Sequence, residues 1–354
     1  MTQSSNLDGK TTQHAAADLD APSTGHTPFA LISNVFYRTG VLPIMLAIAL
    51  IVFSLLAPKF FGLENLTNLL RQSVYLVLVS LGQMLALVTG GFDLSVGTTV
   101  ALTSVVSSIV MSAIAASHPE WGYLAIVAGC LAGALSGLVI GLINGLGVAR
   151  FGVSPFIMTL GMQSVGFGVA LFLTNGVPVT GLPDAFGQVF GFGTLLGLPV
   201  PVVITLVIFG AFAFMLDRTA LGRFFFAVGG NEKAALLSGI NTRGVLVCTY
   251  AMCALFSSLS GLLMTARVSS GEANIGSSLA LESIAACVIA GVSLRGGTGR
   301  VGYVVLGAIF IGLVQNGMNL ADINSYLQVI VLGALLIVAV LADKVRYRSI
   351  RHGN

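Results

Sequence analysis

Four glycines crowd into Ala290-Gly291-Val292-Ser293-Leu294-Arg295-Gly296-Gly297-Thr298-Gly299-Arg300. A glycine-rich loop beside arginines is one way to cradle phosphate. That chemistry also needs a Gly-Lys-Ser/Thr ending, which places a lysine on the phosphates and a hydroxyl on the metal. The loop lacks it, so the chain is not expected to hydrolyse ATP by itself. A second glycine turn, Thr89-Gly90-Gly91-Phe92-Asp93-Leu94-Ser95-Val96-Gly97, carries an acid. Here the plain expectation is structural: Gly90 and Gly91 end one helix, and Asp93 N-caps the next. His14, His26, His118 and His352 lie far from any paired nucleophile or metal cluster, so no catalytic residue and no metal site is assigned.

The elements that carry these turns must lie in a membrane. The chain has 354 residues, 56% of them hydrophobic and only 8% charged. It also carries 44 glycines, and glycine is more frequent in membrane helices than in soluble ones. A soluble domain of this size would need a charged surface that is missing, and a nucleic-acid binder would need a dense basic face. Cys130, Cys248, Cys253 and Cys287 fall in apolar runs without metal-ligand spacing and read as small buried residues. Acids near or within the spans are few, Asp93 and Glu282 among them. An ion-driven carrier would show more buried ionisable groups along its path. The expectation is a passive, neutral pathway powered from elsewhere.

Residues 1–38 are polar and cannot bury enough apolar surface to fold alone, so they read as a disordered cytoplasmic tail. Apolar segments follow at 41–57, 72–89, 94–116, 122–148, 155–174, 199–216, 245–265, 279–294, 301–319 and 326–342. The fold class is therefore an all-α polytopic membrane protein of about ten helices, filling 39–343. Residues 344–354 form a basic cytoplasmic tail. With the N-terminus inside and strict alternation, only Lys59, Arg71 and Arg267 of the 16 basic residues fall outside. That bias supports ten helices with both termini in the cytoplasm.

Gly129, Gly133, Gly137, Gly141 and Gly145 recur every four residues along the fourth segment. They share one slowly drifting helix face, bare enough for another backbone to approach closely. Helix packing is the preferred reading over contact with a solute. The longest charged interruption is 217–244, which holds Arg218, Arg223, Lys233 and Arg243 against Asp217 and Glu232. A short helix is expected inside it. Asn231 is its N-cap, Glu232 stands in its first turn, Ala234, Ala235 and Leu236 favour helix, and Gly239 stops it. On position and charge alone this loop is either a cytoplasmic handle or a solvated connector.

At this point four blocks, in order, resemble the ribose-type ABC permeases of bacteria. Gly90-Gly91-Phe92-Asp93-Leu94-Ser95-Val96-Gly97 is similar to their GGIDLSVG signature. Ser154-Pro155-Phe156 with Thr159-Leu160-Gly161-Met162 matches a second block. Leu221-Gly222-Arg223, Ala227-Val228-Gly229-Gly230-Asn231-Glu232 and Leu237-Ser238-Gly239-Ile240-Asn241 resemble a third. Ser293–Arg300 matches a fourth. The resemblance runs from about residue 40 to the end and implies a monosaccharide importer subunit in the bacterial inner membrane. It implies a second permease copy, a periplasmic sugar-binding protein, and a cytoplasmic ATPase with two fused nucleotide domains that carries the ATP and Mg. The 217–244 loop would then be the coupling loop, with Arg223, Gly229, Gly230, Asn231, Glu232, Ala234, Ala235, Leu236 and Gly239 as its working residues.

Three positions depart from the family pattern. Phe92 stands for the usual Ile, Ala280 for a frequent Glu, and Glu282 for an Asp. Phe92, Asp93, Ser95 and Glu282 are the candidate residues of the translocation path. Pentoses, hexoses, deoxysugars and polyols stay open as solutes. So does an ABC permease for branched-chain amino acids or nucleosides. A stand-alone secondary transporter is disfavoured by the scarcity of intramembrane charge.

Overall fold

The computed structural model describes residues 42–352, with the backbone alone at 339 and 342–352. The expected tail 1–38 lies outside the described residues. The helices are α1 (Leu42–Leu56), α2 (Leu63–Val88), α3 (Val96–Ser117), α4 (Gly122–Phe151), α5 (Pro155–Thr174), α6 (Val200–Arg218), α7 (Ala220–Gly230), α8 (Glu232–Leu237), α9 (Thr242–Val268), α10 (Leu279–Ile289), α11 (Val301–Leu320) and α12 (Ser325–His352). Among the described residues seven helices are long and apolar enough to cross a membrane: α2, α3, α4 with the turn before it, α5, α6, α9 and α11. Each of the ten apolar segments carries a helix, although α1 and α10 are shorter than a full span.

Prolines open α5 and α6, where a missing N–H costs nothing. α2 starts at Leu63, nine residues before the apolar run. Its first turns are polar, and one of those residues, Asn65, exchanges two side-chain hydrogen bonds with Asn316 of α11, at 2.9 and 2.8 Å. α12 continues through to His352, so the basic segment extends a helix. Between α5 and α6 the chain forms a π-helical turn at Gly187–Gly191 and a small hairpin. The hairpin pairs β1 (Thr194–Leu195) with β2 (Leu198–Pro199), Thr194 opposite Pro199.

The core centres on α2, which is buried on all sides from Ser73 to Val88. It lies between α9, α11 and α10, with Gly82 against the Cα of Cys253 in α9. The glycine rungs of α4 meet α3 at one end and α9 at the other. Gly133 lies under the Thr103 carbonyl, Gly141 under the Tyr250 carbonyl and Gly145 under the backbone of Val247. Gly129 faces Ser107 and Met111. Gly137, midway along α4, touches both Thr99 of α3 and Ser258 of α9. Thr99 belongs to the first turn of α3, so α3 begins halfway through the bundle.

Candidate functional site

Helix α2 ends in a left-handed glycine. Gly90 has φ +83°, which lets its N–H reach the Leu87 carbonyl while Gly91 N–H reaches that of Ala86. Thr89 N–H satisfies Leu85. The fourth open carbonyl at this helix end, that of Val88, is taken from a distant part of the chain. Gly297 N–H donates to it at 2.8 Å. Gly297 sits in a closed turn where Ser293 N–H bonds the Thr298 carbonyl and Gly296 N–H bonds the Ser293 carbonyl.

The end of α7 enters the same spot. A methyl on Gly229 would overlap the Val88 carbonyl oxygen and stand 2.8 Å from Gly297 N. One on Gly296 would stand 2.7 Å from the Gly229 oxygen, and one on Gly297 2.9 Å from the Gly230 Cα. Three of the sequence blocks therefore interlock backbone on backbone, and only glycine fits at their seam. We call this the glycine joint.

One side of the joint carries an exposed handle. Thr219 caps α7 by accepting Gly222 N–H, and Asn231 caps α8 by accepting Ala234 N–H at 3.0 Å. Phe225 and Val228 of α7 and Ala235 of α8 are buried in the core. Arg223, Asn231, Glu232 and Ala234 are exposed, as are Leu236 (60%) and Leu237 (88%). Gly239 closes α8 at φ +82°. Ala235 and Leu236 both stand among the expected coupling residues. The structure separates them: Ala235 packs inward on its own chain, because neighbours on a helix point about 100° apart. Helix α7 was not expected. Its glycines mask it, and the Thr219 cap with apolar positions at 222, 225 and 228 was the available signal.

The other side of the joint leads to a polar knot. Asp93 Oδ1 accepts the N–H of Ser95 at 2.9 Å and its hydroxyl at 2.6 Å. Ser95, not Asp93, is the capping position of α3, so the expectation of an Asp93 N-cap is corrected. The carboxylate binds one step earlier, because the turn Leu94-Ser95 intervenes before the helix. The side-chain amide of Gln83 brackets the backbone of Asp93, donating to its carbonyl at 3.0 Å and accepting its N–H at 3.3 Å. Asn144 of α4 donates to Ser95 Oγ at 2.8 Å. Gly91 is pinned between the Tyr250 hydroxyl and Pro155.

Phe92 is half-buried, and its carbonyl lies 3.5 Å from the Thr159 hydroxyl. Glu282 lies apart from this knot, in the first turn of α10, where it is buried. The structure brings Asp93 and Ser95 together and leaves Glu282 on a separate element. No group of three or more metal-ligating side chains occurs among the described residues.

The family model described as "Branched-chain amino acid transport system / permease component" matches residues 65–340. The ribose import permease protein RbsC of Escherichia coli strain K12 is 40% identical over 304 residues, 85% of this chain and 92% of that protein. The protein of the same name from Bacillus subtilis strain 168 is 41% identical over 301 residues, 84% of this chain and 90% of that one. The D-allose transport system permease protein AlsC of Escherichia coli strain K12 is 33% identical over 301 residues, 85% and 90% of the two chains. No solved structure matches. With four sequence blocks in order and relatives aligned over most of its length, the chain belongs to the ribose-type family of ABC transporter permeases, as a multi-pass membrane protein.

Proposed function

We propose that this chain is the membrane subunit of a binding-protein-dependent ABC importer for a monosaccharide or related polyol. The observation that carries the solute class is the 40% identity to ribose import permeases over most of both chains. The glycine joint supports the coupling role, since it ties the exposed α7–α8 handle to the turn that starts α3. In this reading the handle seats in a cytoplasmic ATPase with two fused nucleotide domains, which holds the ATP and Mg. The chain itself is non-catalytic. It works in the bacterial inner membrane as a homodimer or with a close paralogue, and receives solute from a periplasmic binding protein. α1, α10 and α12 join the seven long helices to make ten segments, with both termini in the cytoplasm.

The test is uptake of radiolabelled ribose, allose, arabinose and inositol by cells with and without the gene. Loss of uptake of one of them on deletion, restored by the gene, supports the reading. The description of the matched family favours a second solute class, branched-chain amino acids. Leucine uptake that follows the gene while sugar uptake does not would replace the first reading with that one.

A further inference from the structure

The stretch between α9 and α10 does not behave as a surface loop. Val179 and Gly271 exchange backbone hydrogen bonds at 2.9 and 2.8 Å, and from there the chain turns into the bundle along α3. Gly271 lies against Ser108, with a built Cβ 2.6 Å from its hydroxyl. Glu272 N–H donates to Ser104 Oγ at 3.2 Å. Gly276, at φ +80°, lies against Val100, and its carbonyl oxygen sits 2.6 Å from a Cβ built on Gly97. Between Ser108 and Gly97 a helix rises about 16 Å, half of a hydrocarbon core of about 30 Å. The segment thus descends to the first turn of α3, which lies at the midpoint of α4. Helix α10 starts there, and its 11 residues cover the remaining half. Two helix starts, those of α3 and α10, meet in the middle of the bundle.

The side chains on this descent divide into two sets. Ala273 and Ile275 are buried in apolar clusters. Asn274, Ser277 and Ser278 are exposed. The side chains of Asn274 and Ser277 have no hydrogen-bond partner among the described residues. An amide and a hydroxyl left open at mid-depth cannot face lipid without a large desolvation penalty. Irregular backbone at that depth is tolerated only where protein buries it or where it lines water. The helix starts on either side add open N–H groups, and Glu282, one turn into α10, adds a carboxyl group.

We propose that the segment from Glu272 to Ser278, with the first turn of α10, lines the solute path, and that Asn274, Ser277 and Ser278 contact the passing solute. The set offers neutral donors and acceptors close to one carboxylate, with small side chains that leave room. That chemistry fits a neutral polyhydroxylated molecule and supplies no counter-charge for an ammonium and a carboxylate together. The inference deepens the monosaccharide reading and rests on it for the class of solute. The water-lined face does not depend on that reading.

The test places single cysteines at Asn274 and Ser277 in the native chain, in nanodiscs with both faces open, with the wild type reporting background from its own thiols. A charged methanethiosulfonate reagent should modify Asn274→Cys and Ser277→Cys at least tenfold faster than Val165→Cys, an exposed apolar position on α5. In cells with the complete system, modified Ser277→Cys should lose more than nine-tenths of its monosaccharide uptake. Asn274→Cys carries the labelling test if Ser277→Cys folds poorly. Modification no faster than at Val165→Cys overturns the proposal. So does efficient oxidative cross-linking of Asn274→Cys between two copies, which would make this face a seam between protomers. If rapid modification is found but wild-type cells carry no monosaccharide, the path stands and the solute class falls.

Discussion

The Val88 carbonyl accepts the Gly297 N–H at 2.8 Å, and the Gly229 backbone seals that contact from its other side. A helix end, a turn and the 217–244 loop therefore share one backbone junction. Gly229→Ala would drive a methyl into the Val88 oxygen, and backbone cannot yield as a flexible side chain does. Overpacking of this kind costs about 1–3 kcal/mol. Gly230→Ala points into open space and serves as the control. Gly229→Ala should lower the thermal midpoint of the purified protein and cut uptake severely, and Gly230→Ala should leave both near wild type. Equal behaviour of the two would remove the joint from the mechanism.

Asp93 holds Ser95 by both its N–H and its hydroxyl. Asp93→Asn keeps an acceptor at that point, whereas Asp93→Ala leaves two buried donors without one. An abandoned buried donor costs about 1–3 kcal/mol. The Asn variant should therefore be the more stable of the two in a thermal melt and should retain more uptake. If both fold and both fail to transport, the charge of the carboxylate acts directly in the cycle.

Much of this was legible in the sequence, for physical reasons. The apolar runs mark helices because a membrane span must bury its backbone in its own hydrogen bonds. The five-glycine ladder marks a close contact because nothing else allows a helix to come so near. Asn231 and Gly239 delimit α8 because caps are local chemistry. What escaped was set by partners distant in the chain. Asn65 looks like a loop residue until Asn316 satisfies it. Gly271–Ser278 looks like a surface connector until Ser104 and Gly97 are brought beside it. Nor does spacing along the chain reveal that Gly229, Val88 and Gly297 meet.

The Asn65–Asn316 pair offers a separate check. Each amide donates to the other's oxygen, and Asn65 also donates to the Phe60 carbonyl at 2.8 Å. Asn316→Ala should cost about 1–3 kcal/mol by leaving Asn65 half-satisfied. Adding Asn65→Ala should cost less than the sum of the single changes, because the two are coupled. A thermal-melt double-mutant cycle reads this directly, and strict additivity would mean that water replaces either partner.

The membrane orientation can be read chemically. His118 and Asp184 are exposed between helices, and Arg223 is exposed on the handle. Single cysteines at His118 and Asp184 should react with an impermeant thiol reagent added to spheroplasts, above the wild-type background. Arg223→Cys should react only in inverted vesicles. Reaction of Arg223→Cys from outside would overturn both the ten-segment arrangement and the cytoplasmic placement of the handle.

The handle gives the most direct test of coupling. Helix α8 has six residues, too few to be stable alone, and it stands because Ala235 docks on its own chain. Leu236 and Leu237 stay exposed beside it, an apolar pair without cover among the described residues. If they seat in a groove of the ATPase, a carboxylate at Leu237 would lose water there without finding a partner, which is strongly unfavourable. Leu237→Asp should leave the protein folded, with an unchanged melting midpoint, while ATPase co-purification and sugar uptake both fall at least tenfold. Ala235→Asp buries the same charge inside the permease itself and should lower the melting midpoint and the yield. The two variants thus separate docking from folding on opposite sides of one short helix. Full co-purification of the ATPase with Leu237→Asp, at normal uptake, would show that this pair faces solvent or lipid and that coupling runs through another surface.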